Sequence, residues 1–258
     1  MEKLRFPFIR SLVLSSWLDL LGASLVLGVC LYRSFHETIY FQGEIQFGIK
    51  ITELLGYIGQ GAFPLGILSI VGAIFSLLST RLIGKQNNAG NVIGVLTAIN
   101  SGVIDFMFGN ASAIITYPLT FFIMVFSVSK WKGGEKIKPR DFKYYTIIGL
   151  GILFGFVLVY LGAYLFGGRT DGLFLNIVAI TFGLSIGGNI CSALKYEETW
   201  LSWVLYNIVQ LTKAAMQFNL ANVVKYIFYL FNAAITLVDW RSNGDITVEG
   251  QMVQPERM

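Results

Sequence analysis

Eight stretches of about twenty residues, near 10–32, 62–84, 89–109, 112–131, 144–167, 173–194, 199–218 and 221–239, are apolar on nearly every side. That is the length needed to cross the ~30 Å hydrocarbon core of a bilayer as a helix. A soluble helix keeps a polar face, and a soluble domain is about 25% charged; here 13% of residues are charged and 55% are hydrophobic. In lipid the backbone polar groups must be satisfied inside the segment, so such runs fold as helices. The chain is expected to be an all-α integral membrane protein.

Several chemistries are excluded at this level. Cys30 and Cys191 lie inside apolar segments and read as packing residues, so no disulfide scaffold is expected. His36, in a polar connection, is the chain's one histidine, and no His/Cys metal site or cofactor is expected. "LIGKQ" lacks both the first glycine and the Ser/Thr of a phosphate loop, so ATP hydrolysis is not expected. With no nucleophile and base placed inside the bilayer, catalysis is not expected either, and nucleic acid is not an expected partner. Residues 45–60, "IQFGIKITELLGYIGQ", are too short and charged to span and read as an interfacial helix, with Pro64 near the following bend. "ETIYFQGE" (37–44) resembles a protease recognition sequence and is assigned no function.

Loop lysines and arginines set orientation. "KWKGGEKIKPRDFK" (130–143) holds six basic residues against two acidic ones. Lys3, Arg5, Arg10, Arg81, Lys85, Lys195 and Arg241 fall on the same side. Arg33, Lys50 and Arg169, on the other, are offset by nearby acids. Both termini are therefore expected in the cytoplasm, and the retained first helix is not a cleaved leader.

Sliding the chain by 109 residues aligns "FMFGNASAIITYPLTFFIMVFSVSKW" (106–131) with "AMQFNLANVVKYIFYLFNAAITLVDW" (215–240) without a gap. Met107 meets Met216, Asn110 meets Asn219, Tyr117 meets Tyr226, Phe122 meets Phe231 and Trp131 meets Trp240. A three-span unit inverts the chain, so one extra span, 144–167, is needed before a second unit can run the same way. The expected fold is a 3+1+3 parallel-repeat bundle of the SWEET type, whose substrate sites lie between the repeats, with one extra N-terminal helix. The parts are 1–60 (extra helix and interfacial segment), 61–131 (first repeat), 132–170 (basic loop and linker helix), 171–240 (second repeat) and 241–258 (cytoplasmic tail).

The polar residues inside the spans fall on single faces. Trp200, Trp203, Asn207, Gln210, Ala214 and Gln217 are spaced 3, 4, 3, 4, 3, which places them on one stripe about 100° wide. An unsatisfied amide in hydrocarbon costs several kcal/mol, so this stripe must avoid lipid. Such amides can be helix-packing glue, but a continuous stripe with Trp203, Asn207 and Gln217 reads as the lining of a substrate path. Trp200, near the helix end, reads better as an interfacial belt residue, with the lining as its alternative. The matching stripe of the first repeat is Gly94, Ala98, Ser101, Asp105 and Phe108. Asp105 is an ionisable group inside a span and thus a site candidate. The next helices add Asn110, Tyr117 and Thr120, and then Asn219, Asn222, Tyr226 and Tyr229. Lys213 and Lys225 are expected to snorkel outward. Asp19, Asn176 and Asn189 are weaker candidates, and Gly183, Gly187 and Gly188 are expected to allow close helix packing. Indoles, phenols and amides together suit a flat hydrogen-bonding solute such as a nucleoside. Without a charged cluster, a nucleotide is disfavoured.

"KYEETWLSWVLYN", with its W-x-x-W-x-x-x-N core followed by Gln217, Tyr226 and Trp240, resembles the C-terminal triplet of the PnuC family of vitamin transporters. The likeness extends more faintly through "VGAIFSLLSTRLIGKQNNAGNVIGVLTAINSG" (71–102), so that with the topology it covers about 62–240. The resemblance implies a multi-pass carrier of the bacterial inner membrane, acting in NAD biosynthesis. It would move nicotinamide riboside by facilitated diffusion, with a cytoplasmic riboside kinase trapping the arriving solute. It also implies substrate contacts at Trp203, Asn207 and Gln217. Where family members carry a Gln and a Y-G-W run on the third helix of the first repeat, this chain has Tyr117 and "FSV" (126–128). Thiamine, deoxynucleosides or riboflavin therefore stay open as alternatives, as does a substrate-binding subunit of an ATP-driven importer.

Overall fold

The computed structural model describes residues 6–132 and 136–243. Lys3 and Arg5, the 133–135 portion of the basic loop and most of the expected tail, 244–258, lie outside the described residues. Within them the chain forms ten α-helices, a single-turn 3-10 helix at Phe35–Glu37 and one small hairpin. Helices α4 (Leu65–Gly84), α5 (Ala89–Met107), α6 (Ala113–Trp131), α7 (Phe142–Phe166), α8 (Gly172–Ala193) and α10 (Leu220–Asn243) are each long and apolar enough to span. Helix α9 (Thr199–Met216) falls short of their hydropathy because Trp200, Trp203, Asn207, Gln210 and Lys213 occupy one of its faces. The chain is a multi-pass membrane protein.

The first expected span is not continuous. It divides at Ser15 into α1 (Pro7–Leu14) and α2 (Ser16–Tyr32), bent by 53°. Ser15 is extended (ψ 123°) and its hydroxyl accepts from the Leu18 N–H, so a serine that suits an N-cap restarts the helix. The break strands carbonyls at the end of α1. Arg81 of α4 takes them: its Nη2 donates to Leu12 O, Val13 O and Ser15 O at 3.2, 2.7 and 3.0 Å. The same guanidinium donates to Asp19 Oδ1 at 2.6 Å and to Asn232 Oδ1 at 2.8 Å, and Lys85 also pairs with Asp19. Asp19 is thus a packing partner of α4.

Residues 45–60 are helical only in part. β1 (Ile39–Phe41) and β2 (Glu44–Gln46) pair antiparallel, and α3 covers Ile51–Gly59. The two turn residues, Gln42 and Gly43, both have positive φ (52° and 89°), as a two-residue hairpin matching strand twist requires. Backbone bonds between Tyr40 and Phe63 (2.9 and 2.8 Å) tie the hairpin to the entry of α4. "ETIYFQGE" is therefore part of the folded structure.

The 109-residue spacing is visible in the backbone. Left-handed residues recur at Gln86 and Lys195, and at Gly109 and Phe218. The bonds around them recur too: Asn87 N–H to Leu82 O and Tyr196 N–H to Cys191 O, then Asn110 N–H to Asp105 O and Asn219 N–H to Ala214 O. Trp131 Nε1 donates to Ser192 O of α8 at 3.0 Å, while Trp240 Nε1 donates to Gly84 O of α4 at 2.9 Å. Each tryptophan thus donates to a carbonyl at or next to the end of a helix distant in the chain. The two rings meet with centroids 6.4 Å apart.

Helices α7 and α8 pack along glycines, as the Gly183 and Gly187 positions suggest. A Cβ on Gly183 would lie 2.5 Å from Ile152 Cα, and one on Gly155 would lie 2.6 Å from Ala179 O. At the basic-loop end, Lys138 N–H donates to Lys195 O and Glu197 N–H donates to Lys138 O, which fixes the loop onto the α8–α9 turn. Asp141 caps α7; the Tyr144 N–H, and then the Tyr196 hydroxyl, hold its carboxyl below the usual carboxylate range. Replacing Gly155 by Ala should lower the unfolding midpoint in detergent, by the ~1–3 kcal/mol typical of overpacking. Gly149→Ala, whose Cβ meets nothing within 4 Å, should leave the midpoint in place.

Candidate functional site

Polar stripes that cannot face lipid must face each other, and here they enclose a cavity of about 170 Å³ between α4, α5, α6, α8, α9 and α10. All nine residues singled out as substrate contacts line it: Trp200, Trp203, Asn207, Gln210 and Gln217 from the α9 region, Asp105 from α5, Asn110 from the α5–α6 turn, Tyr117 from α6 and Tyr226 from α10. Gly94, Ala98, Ser101, Thr120, Asn219, Asn222 and Tyr229 join them, whereas Phe108 is buried outside the cavity lining.

Asp105 is the electrostatic centre of one end. Its Oδ2 accepts from Asn110 Nδ2 (2.6 Å), Lys213 Nζ (2.9 Å) and Tyr117 Oη (3.3 Å), and its Oδ1 accepts from Gln217 Nε2 (2.7 Å). A carboxylate with this many donors and an ammonium at contact is already neutralised. Asp105 thus binds α5 to α9 and holds Asn110, Tyr117 and Gln217 in place.

Elsewhere along the lining the polar atoms are not used up. Asn207 Oδ1, Gln210 Oε1, Trp200 Nε1 and Asn219 Nδ2 are buried without a hydrogen-bond partner. Each such group is unfavourable by about 1–3 kcal/mol unless something pairs with it. Gln210 is partly held, its Nε2 donating to Tyr206 Oη at 2.7 Å. The Tyr206 ring stands edge-on to Trp203 (5.1 Å) and to Tyr226 (6.2 Å), and Tyr226 to Tyr229 (5.8 Å), forming an aromatic wall.

Three expectations change here. Trp200 is not a belt residue: it is 1% exposed and packs edge-on against Trp240 at 5.5 Å. Lys213 and Lys225 do not snorkel; at 5% and 4% exposure both line the cavity, because their helix faces point to the bundle centre. Ser76, Thr80 and Asn100, together with Thr181, Ser185 and Asn189 on α8, also line the cavity. The hydroxyls gave little signal in sequence because a lone Ser or Thr in a span commonly bonds its own backbone, as Thr80 does to Ser76 O.

The Asp105–Lys213 pair makes a direct prediction. Asp105→Asn leaves the Lys213 ammonium buried without its counter-charge and should destabilise the protein by on the order of 3 kcal/mol. Adding Lys213→Met should recover most of that loss. Thermal unfolding in detergent measures both; equal midpoints for single and double variants would contradict the pair's role.

Comparison with known proteins agrees with this geometry. No curated protein sequence matches the chain. A crystal structure of the vitamin B3 transporter PnuC superposes with a TM-score of 0.57, covering 73% of this chain and 85% of that one at 17% identity, which establishes a common fold. The model of the nicotinamide mononucleotide transporter family matches residues 66–242. The match begins after the N-terminal helices and hairpin and takes in every helix that lines the cavity. With well over half of its length covered, the chain belongs to the nicotinamide mononucleotide transporter family, the PnuC family of vitamin transporters.

Proposed function

We propose that the chain carries a nucleoside-like vitamin of the vitamin B3 type, with nicotinamide riboside as the reference solute, through the cavity between two parallel three-helix repeats. The repeats are α4–α6 and α8–α10, joined by α7. The observation that carries the reading is the coincidence, in one cavity, of unpartnered amide oxygens on Asn207 and Gln210 with the Trp203 indole and the Tyr206–Tyr226 wall. Amide oxygens accept from sugar hydroxyls or a carboxamide, and the aromatic faces stack on a planar ring.

In this reading Trp203, Asn207 and Gln210 touch the solute. Trp200 closes the cavity behind them and offers its free N–H. Asn110, Tyr117 and Gln217 are presented by Asp105, and Tyr226 completes the wall. Transport follows the solute gradient, and a cytoplasmic kinase makes uptake one-way by phosphorylating the product. The expected orientation is supported by Arg81, Lys85, Lys138, Arg140, Lys195 and Arg241, at or near the helix ends where Trp131 and Trp240 cap the bundle. By the bias of basic residues, that end is cytoplasmic in the bacterial inner membrane. The departures at Tyr117 and at 126–128 favour, as a second reading, another ring vitamin such as thiamine, riboflavin or a deoxynucleoside.

Calorimetric titration of the detergent-solubilised chain with these compounds tests the proposal. Nicotinamide riboside should bind. Trp203→Ala and Asn207→Ala should each weaken it at least about tenfold, the effect of losing one interaction of ~1.4 kcal/mol, with unchanged size-exclusion behaviour. Wild-type affinity in both variants would remove the lining, and preferential binding of another panel member would shift the solute.

A further inference from the structure

The charged groups lining the cavity are Asp105, Lys213 and Lys225, a formal sum of one positive charge. They are not equivalent. Lys213 and Asp105 are joined at 2.9 Å, and Asp105 is further occupied by Asn110, Tyr117 and Gln217. Lys225, among the described residues, has no carboxylate within ion-pair distance and no hydrogen-bond acceptor; its Nζ sits 4.3 Å from the Tyr226 ring centroid and 5.8 Å from that of Tyr229. Ring faces attract an ammonium, but far less than a counter-ion does. A charge removed from water is unfavourable unless paired. Asn219, just before α10 and fully buried, adds a second unused donor, Nδ2, to the same cavity. One amine without a counter-ion and one free amide N–H therefore face a space in which every acid is spoken for.

From this we infer that the transported solute carries a carboxylate that pairs with Lys225, so that the preferred vitamin is the acid form of a ring nucleoside and not its amide. The inference rests on the ring-solute reading of the cavity and narrows it. Pairing at Lys225 itself favours a carboxylate over a phosphate. A carboxylate brings one negative charge to one unpaired ammonium, whereas a phosphate monoester brings about 1.5 to 2 at neutral pH and finds a single ammonium to meet it at that point, Lys213 being held by Asp105. A cationic pyridinium without an acid group would meet a cavity already positive. A pyridinium carrying a carboxylate is a zwitterion: its ring stacks on the aromatic wall and its anion meets Lys225.

Nicotinic acid riboside and nicotinamide riboside differ only in carboxylate against carboxamide, which makes them the discriminating probes. Titration of both into the full chain at neutral pH should show the acid bound at least tenfold more tightly. Lys225→Met should cut affinity for the acid at least tenfold more than affinity for the amide, while Lys225→Arg should keep the preference for the acid. Equal affinities in the wild type, or an acid-to-amide ratio unmoved in Lys225→Met, overturn the inference. So does preference for nicotinamide mononucleotide over the acid riboside, which would assign Lys225 to a phosphate. If Lys225→Met is not monodisperse, Lys225→Gln serves in its place, and the wild-type ratio stands as a test by itself. Failure of every ring compound to bind removes the proposed function along with this inference; binding without charge preference removes only the inference.

Discussion

A helix that crosses hydrocarbon must hide each amide, hydroxyl and charge it carries, because the bilayer core offers no partner for them. Six helices of this chain put such groups on a cavity-facing side, and the arrangement of the bundle follows from that demand. The faces turn inward together, and the small residues on α5 and the glycines on α7 and α8 let the backbones close around them. Asp105 shows the constraint in its most acute form. It sits in the last turn of α5, and four donors from three different segments converge on it. Removing water from a carboxylate is tolerable only with such company. The same carboxylate joins α5 to α9, so the polar demand of one residue helps set how these helices meet.

The backbone carries the 109-residue spacing more clearly than the side chains do. Left-handed residues at a 109-residue spacing include Gln86, Lys195 and Phe218, none of them glycine. Such conformations are uncommon outside glycine, and Gly109 supplies a glycine at just one of the four positions. Their recurrence, with the same flanking hydrogen bonds, puts one turn geometry on different residue identities. The closing tryptophans reinforce it. Trp131 donates to Ser192 O at the end of α8 and Trp240 to Gly84 O at the end of α4, so the same residue type ties down two helix ends far away in the chain.

Helix positions, the repeat spacing and the membership of the cavity stripe were legible in the sequence because each rests on periodicity: twenty apolar residues for a span, 3–4 spacing for a face, 109 for the repeat. What stayed hidden depends on partners distant in the chain. The break at Ser15 lies within an apolar run and is stabilised by Arg81, 66 residues on. The hairpin at 39–46 is anchored by Phe63, beyond an intervening helix. Lys213 and Lys225 lie within about a turn and a half of a helix end, where a long side chain usually reaches the surface; the angle about the helix axis, not the depth, decides that these two turn inward. Trp200 was ambiguous for the same reason. Belt and core differ only in what lies opposite, and here it is Trp240.

Helices α5 and α9 lie between turns of the same geometry but do not carry the same lining, and the asymmetry leaves room for a cavity. At the 109-residue spacing, Trp203 corresponds to Gly94, Asn207 to Ala98 and Gln210 to Ser101. Large polar groups on α9 are thus matched by small ones on α5. Had both stripes been large they would have filled the axis; had both been small the helices would have closed on each other. The charges are distributed with the same bias: Lys225 corresponds to Thr116 and Lys213 to Ile104, while Asp105 corresponds to Ala214. The cavity therefore has the large amides, the indoles and both lysines on the α9–α10 side, and on the α5–α6 side small residues beside the Asp105 cluster. Such a site imposes a single orientation on an asymmetric molecule, which a symmetric pair of walls could not do.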